Sequence, residues 1–112
     1  MLEDTSLHDN LTFMNHVVHE LARAAGQAAG AERVYVFGSQ ARGEARADSD
    51  LDLALIIADD VSPRQALRAA IAATSERKQA LDVVVIAHST WAQGRSLLAR
   101  EVRQQGVLVY GN

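Results

Sequence analysis

The chain has 112 residues, a net charge of −3, an apolar fraction of 48% and no cysteine. This length predicts one domain with its own core, and the lack of cysteine excludes disulfides, thiolate catalysis and cysteine-ligated zinc. No apolar run approaches the roughly 20 residues that span a bilayer, and the acidic start MLEDTSLHDN is unlike a signal peptide. These features predict a cytoplasmic protein that has no contact with a membrane.

The basic residues are dispersed along the chain rather than clustered. A surface that binds DNA or RNA needs a basic face that matches the phosphate backbone. We therefore expect no DNA or RNA template among the partners.

Helical patterns alternate with short apolar runs along the whole chain. Segment 1–9 is expected to be flexible. The predicted helices run from Asp9 or Asn10 to about Ala29, from Pro63 behind the N-cap Ser62, and from a cap at Ser89 or Thr90 to Gly106.

Strands are predicted at residues 33–37, 51–58, 81–87 and 107–110, where β-branched and aromatic residues are concentrated. The second and third are nearly continuous apolar runs, as expected of strands that are covered on both faces. The fold class is therefore α/β (α+β), with a mixed sheet of about four strands and helices packed on it, in a single domain over residues 1–112.

Three aspartates stand at the starts of two predicted strands. Asp50 and Asp52 share one face because strand side chains alternate, and Asp82 has the matching position in the third strand. The helix between these strands allows a crossover that makes them parallel neighbours. Adjacent carboxylates repel each other unless water or a cation neutralises them. The sequence therefore predicts a site for Mg²⁺ or Mn²⁺, the ions that prefer oxygen ligands.

A Gly-Ser turn, Gly38 and Ser39, ends the first strand ten residues before Asp50. The short link predicts that the first two strands are antiparallel, which brings the turn to the aspartates. Backbone N–H groups of such a turn can approach phosphates closely, the hydroxyl adds a donor, and Arg42 is a plausible partner for phosphate charge. Together these residues predict a site for a nucleoside triphosphate and two metal ions.

Simpler interpretations exist for each feature alone. Gly38 could be an ordinary turn glycine, and two aspartates could merely begin a strand; the combination with Asp82 favours a site. GSQARG lacks the Gly-Lys-Ser/Thr of a Walker A loop and the GxGxxG of dinucleotide-binding folds. His16 and His19 are three residues apart and, with Glu20, could suggest a second metal site. No third ligand has the expected spacing, so we interpret these residues as a solvated helix face.

The stretch FGSQARGEARADSDLDLALI resembles the signature of the DNA polymerase β-like nucleotidyltransferase superfamily: Gly-Ser, ten residues, then Asp-x-Asp. Asp82 in LDVVVI resembles its third carboxylate. The ARG after Gly-Ser-x, the SDLDL and the ending EVRQQGVLVY are similar to the minimal nucleotidyltransferases (MNT) of bacteria and archaea. The resemblance covers about residues 30–110.

This resemblance implies a palm-like fold and transfer of a nucleoside monophosphate from a triphosphate with Mg²⁺. Asp50 and Asp52 would hold both metal ions, Asp82 would hold the catalytic one and help activate the attacking hydroxyl, and Gly38 and Ser39 would hold the β- and γ-phosphates. Minimal members are similar to antitoxins encoded beside a HEPN-domain toxin, a helical RNase that is silenced when AMP is added to a tyrosine. The implied partners are ATP and such a toxin, in a type VII-like toxin–antitoxin system.

Two alternatives stay open at this point. The chain could neutralise a toxin only by binding it, through strand 107–110 or the first helix. It could also modify a small molecule such as an antibiotic, with a separate subunit that binds the substrate. The sequence does not decide the base preference or the number of AMP units transferred.

Overall fold

The computed structural model describes residues 3–38, 41, 50–76 and 80–111, with side chains from residue 16 onward. Its elements, in chain order, are α1 (Glu3–Ala29), β1 (Arg33–Phe37), β2 (Leu51–Ile57), α2 (Pro63–Ala73), β3 (Leu81–Ala87), α3 (His88–Gln93), α4 (Leu97–Gln105) and β4 (Val107–Gly111). None of the described helices is long and apolar enough to cross a membrane.

The strands form one four-stranded sheet with the order β3-β2-β1-β4. β1 is antiparallel to both β2 and β4, whereas β2 and β3 are parallel. The predicted mixed sheet is thus confirmed, as are the antiparallel first pair and the parallel second pair. This arrangement brings the end of β1 and the starts of β2 and β3 to the same end of the sheet.

One face of the sheet packs against α1 and α2. Alternate residues of β2, including Leu53 and Leu55, are fully buried there against small side chains such as Ala22 and Ala70. Small residues let the helices approach the sheet closely. The extreme case is Gly26, where an added Cβ would lie 2.7 Å from the ring of Tyr110 on β4.

The other face packs against α3 and α4. The intervening residues Ala54 and Ile56 of β2 are buried there with Trp91 of α3. The Tyr35 and Trp91 ring centroids are 4.7 Å apart. Arg103 of α4 lies over the Trp91 ring and donates a hydrogen bond of 2.6 Å from Nη1 to the Trp91 carbonyl, so it holds α4 against α3.

Two helix predictions are wrong. α1 begins at Glu3 rather than at Asp9 or Asn10, so residues 3–9 lie within it, and the flexibility that we expect of this segment stays a prediction. No glycine or proline interrupts these residues, so the sequence does not force the helix to begin at Asp9.

The predicted last helix is two helices. Gly94 ends α3 in the left-handed conformation, with φ of 60°, and Ser96 begins α4 by accepting a 2.9 Å hydrogen bond from the N–H of Ala99. Ser89 and Thr90, the predicted caps, lie inside α3, whose N-cap is Ala87 without a side-chain hydrogen bond. The N-cap at Ser62 is confirmed, since its Oγ accepts from the N–H of Gln65.

The prediction that β3 is covered on both faces is also wrong. β3 is an edge strand, and Ile86 is its only fully buried residue, while the other apolar residues are half-buried. β2, by contrast, is buried along its length except at Asp52, because it lies between β1 and β3.

Candidate active site

Gly38 follows β1 directly and has a φ of +73°, in the region that side chains disfavour. An added Cβ would also overlap Oδ2 of Asp52. A glycine is therefore needed at this position for two independent reasons: the backbone conformation and the space that the carboxylate occupies. Gly38 is confirmed as a direct neighbour of Asp52.

Three residues form a row across neighbouring strands at this end of the sheet. Phe37 of β1 is the register partner of Asp52 in β2, and Asp52 is the register partner of Asp82 in β3. Direct partners on adjacent strands point to the same face and lie about 5 Å apart. The row therefore lies on the face of Ala54 and Ile56, as the alternation along β2 requires.

Exposure increases along this row from the interior of the sheet to its edge. Phe37 is buried, Asp52 is half-buried and Asp82 is exposed. Asp52 thus has an apolar neighbour on one side and a second carboxylate on the other. The carboxylates of Asp52 and Asp82 repel each other, and a bound triphosphate would add more negative charge. Binding of a triphosphate at this site therefore requires metal cations that neutralise these charges.

Asp50 is exposed and lies immediately before the first residue of β2. The structure therefore places it at the same end of the sheet as Asp52 and Asp82. Ser39 and Arg42 lie outside the described residues, so their roles stay predictions. Among the residues that are described, no group of three or more His, Cys, Asp or Glu side chains is arranged to hold a metal ion.

Sequence reasoning missed Phe37 as a part of this site. It was recognised only as a strand residue, because its position opposite Asp52 depends on the register of β1 and β2. The sequence gives one indication of its role: Phe37 directly precedes the Gly-Ser turn and is therefore the last strand residue before the site.

The other cluster of charged side chains on α1 is not a site of this kind. His16 and Glu20 form an exposed pair at 3.4 Å, one helical turn apart. Nδ1 of His19 lies 3.3 Å from the carbonyl oxygen of Val109 on β4, so it contacts the sheet instead of joining that pair. The interpretation as a solvated helix face therefore agrees with His16 and Glu20, whereas His19 is exposed but contacts β4.

A third polar group lies at the opposite end of the sheet. His88 Nδ1 is 2.8 Å from Glu32 Oε1, and Asp59 accepts a 3.0 Å hydrogen bond from the N–H of Ser89. Glu32, Asp59 and His88 line an open depression of about 220 Å³. The two contacts link the segments just before β1 and just after β2 to the start of α3, away from the row of aspartates.

Comparison with known proteins identifies the fold. The family model described as polymerase beta, nucleotidyltransferase, matches residues 19–112. A nucleotidyltransferase structure from Sulfolobus solfataricus superposes with a TM-score of 0.62 at 18% identity, over 93% of this chain and 86% of that one. Comparison with curated protein sequences gives no significant match.

Two similar structures are toxin–antitoxin complexes. One contains AMP-PNP and superposes with a TM-score of 0.60 at 22% identity, over 88% of this chain and 73% of that one. The other is a tri-AMPylated Shewanella oneidensis HEPN toxin in complex with MNT antitoxin, with a TM-score of 0.55 at 20% identity, over 91% of this chain and 73% of that one. At identities this low, the superpositions establish the shared fold and nothing more. With the family match over most of its length and the Gly38–Asp52–Asp82 arrangement in place, the chain belongs to the polymerase β nucleotidyltransferase family.

Proposed function

We propose that this chain transfers AMP from ATP to a tyrosine hydroxyl of a partner HEPN toxin and so acts as its antitoxin. The observation that carries the proposal is the in-register pair of Asp52 and Asp82 beside Gly38, in a chain that belongs to a nucleotidyltransferase family. The similar complexes, one with AMP-PNP and one with an AMPylated toxin, support ATP as the donor and a HEPN toxin as the acceptor.

The residues present fit the metal ions that this family implies. The side chains of Asp50, Asp52 and Asp82 offer only oxygen ligands, which Mg²⁺ and Mn²⁺ prefer. Because Gly38 has no side chain, Oδ2 of Asp52 can occupy the position that a Cβ would take. When bound there, two Mg²⁺ or Mn²⁺ ions would neutralise the carboxylates and stabilise the leaving pyrophosphate. Mg²⁺ commonly completes its shell with phosphate oxygens and water, so a few carboxylates suffice.

The chain itself supplies the positions of the reactants. Gly38 and Ser39 would hold the β- and γ-phosphates by backbone N–H groups and a hydroxyl, and Arg42 would balance phosphate charge. Phe37 places an apolar side chain beside Asp52 and limits water on that side. Asp82 would help remove the proton of the attacking hydroxyl. A bond then forms between that oxygen and the α-phosphorus, and the bond to pyrophosphate breaks.

The experiment uses ATP labelled in the α- or the γ-phosphate, with the purified HEPN-domain protein that the proposal implies as the partner. We expect the toxin to acquire the α label but not the γ label, because AMP is transferred and pyrophosphate leaves. EDTA should abolish the transfer. Asp52→Asn should reduce its rate by at least about 100-fold, since it removes a charged ligand beside the phosphates.

The matched control is Asp60→Asn, which changes an exposed aspartate beyond the other end of β2. It should leave the rate unchanged. Labelling of the toxin by γ-labelled ATP would show phosphoryl transfer, and absence of any label would remove the catalytic proposal.

One observation favours the second candidate, an antitoxin that acts by binding alone. Val107 and Leu108 of β4 are apolar and are 51% and 40% exposed, so they offer a surface to a protein partner. A pure binding surface, however, has no use for two carboxylates in register, which oppose each other in the absence of a cation.

A further inference from the structure

The outer edge of β3 lies beside the candidate active site, and no other strand of the described residues pairs with it. β3 is the outermost strand of the sheet, and its second residue is Asp82, the exposed end of the row. Its sequence, LDVVVIA, has the apolar character of a strand that is covered on both faces, yet most of it is half-exposed. A long apolar edge strand of this kind is a template for another strand.

The backbone of β3 shows which groups are available at this edge. The N–H of Leu51 in β2 donates a 2.8 Å hydrogen bond to the carbonyl of Ala80. Because N–H and C=O directions alternate along a strand, Asp82, Val84 and Ile86 turn these groups toward β2. The outward N–H and C=O groups then belong to Leu81, Val83 and Val85. Within the described part of the chain, none of these outward groups has a hydrogen-bond partner.

The direction of the reaction indicates what should come to this edge. Gly38, the proposed phosphate turn, lies on the β1 side of Asp52, whereas Asp82 lies on the other side. The attacking oxygen and the leaving pyrophosphate are in line, on opposite sides of the α-phosphorus. A triphosphate held at Gly38 therefore requires the acceptor to enter from the side of Asp82, which is the side of the outermost strand, β3.

We infer that the acceptor protein presents its hydroxyl on an extended segment that adds to the edge of β3 as an antiparallel strand; this inference rests on the proposed transfer of AMP to a protein. Leu81 and Val83 would form the hydrogen-bonded pairs. The residue opposite Asp82 would then lie in a non-hydrogen-bonded pair, in which side chains are closest and share one face. The hydroxyl-bearing residue of the acceptor takes that position.

The other edge of the sheet is less suited to this role. β4 is separated from β3 by two strands, and its pairing with β1 is irregular between Val34 and Tyr35. His19 also lies 3.3 Å from the carbonyl oxygen of Val109, so part of that edge already has a partner. An irregular edge that is partly capped pairs poorly with a further strand.

Hydrogen exchange measured by NMR tests the inference without any mutation. The probe is the HEPN-domain protein that the proposed function implies as the partner, added with α,β-methylene-ATP. This analogue cannot donate AMP, because the bond between its α- and β-phosphates is not cleaved. We expect the amides of Leu81, Val83 and Val85 to exchange quickly in the free chain and at least about tenfold more slowly in the complex. The amides of the exposed residues Asp59 and Asp60, beyond the other end of β2, serve as the control and should not change.

A pair of variants isolates the backbone contribution. Val83→Pro removes an outward N–H, which an edge strand tolerates, and Val83→Ala removes similar packing but keeps the N–H. Relative to Val83→Ala, we expect Val83→Pro to raise the KM for the acceptor by about tenfold, with the KM for ATP unchanged. Thermal unfolding reports whether both variants fold.

Unchanged exchange at the three amides in the complex would overturn the inference. So would protection that rises with the concentration of the chain alone, because a second copy would then occupy the edge. AMP transfer without protection of β3 would leave the proposed function standing and reject only the docking edge. Protection of β3 without AMP transfer would support the docking edge and reject the proposed function.

Discussion

Gly38 and Asp52 constrain each other at the centre of the site. The backbone of Gly38 has a positive φ, and the space where its Cβ would lie is filled by Oδ2 of Asp52. A substitution at Gly38 should therefore act on the carboxylate as well as on the backbone. Gly30, which lies before the other end of β1, separates these effects, because it has a similar φ of +68° but nothing within 4 Å of its Cβ position.

Gly38→Ala should lower AMP transfer by at least about tenfold, because a displaced Asp52 no longer sits where the reaction needs its charge. Gly30→Ala should cost about 1 kcal/mol of stability from its left-handed backbone and leave the rate unchanged. Steady-state rates and urea unfolding of both variants measure the two effects. Equal rates for the two variants would show that the contact between Gly38 and Asp52 is irrelevant to catalysis.

At the scale of elements, the break between α3 and α4 is the feature that shapes the second face of the sheet. Gly94 ends α3 and Ser96 starts α4, so Trp91 and Val102 both reach the sheet from separate helices. The cap at Ser96 satisfies the N–H of Ala99, which would otherwise lack a partner at the start of the helix.

Ser96→Ala should therefore lower the free energy of unfolding by about 1 kcal/mol, the usual cost of a lost N-cap. Ser89→Ala is the matched control. Ser89 lies inside α3, and its recorded hydrogen bond comes from its backbone N–H to Asp59, so the change should cost less than about 0.5 kcal/mol. Chemical denaturation measures both values. A larger loss for Ser89→Ala would contradict the described helix boundaries.

Particular residues show how far the sequence predicts this fold. The β-branched run of β1 and the Ser62-Pro63 start of α2 predict their elements correctly, because local sequence determines both. Gly94 does not predict its structure equally well. A glycine inside a helix costs about 1 kcal/mol, so the helix can either continue through Gly94 or end there, and the sequence alone does not decide between the two. The exposure of β3 depends on the order of strands in the sheet, which its own residues do not encode.

In the candidate site, too, the sequence predicts some residues and not others. Gly38, Asp52 and Asp82 are predictable because their spacing and their positions at strand ends imply a shared edge. Phe37 is not, because its place opposite Asp52 requires the register between two strands.

At the scale of the molecule, the proposed antitoxin function could depend on catalysis or on binding. The exposed apolar residues of β4 could support binding, whereas the aspartates would support the proposed transfer of AMP. The double variant Asp50→Asn, Asp52→Asn removes two charges at the start of β2, from exposed Asp50 and half-buried Asp52, and leaves the apolar surface of β4 intact.

We expect this double variant to lose protection of cells that express the HEPN toxin, because the toxin stays unmodified. Pull-down should show that it still binds the toxin, since the variant keeps the surface of β4. Full protection by a variant that binds normally would instead support the binding-only antitoxin.

The most direct test of the central claim is the intact mass of the HEPN toxin after co-expression with this chain. We predict a toxin whose mass has increased by one or more AMP units, with the modification on tyrosine, and an unmodified toxin when the chain carries Asp52→Asn. An unmodified toxin with the wild-type chain, or an equal mass increase with Asp52→Asn, would contradict the assignment of these aspartates to AMP transfer.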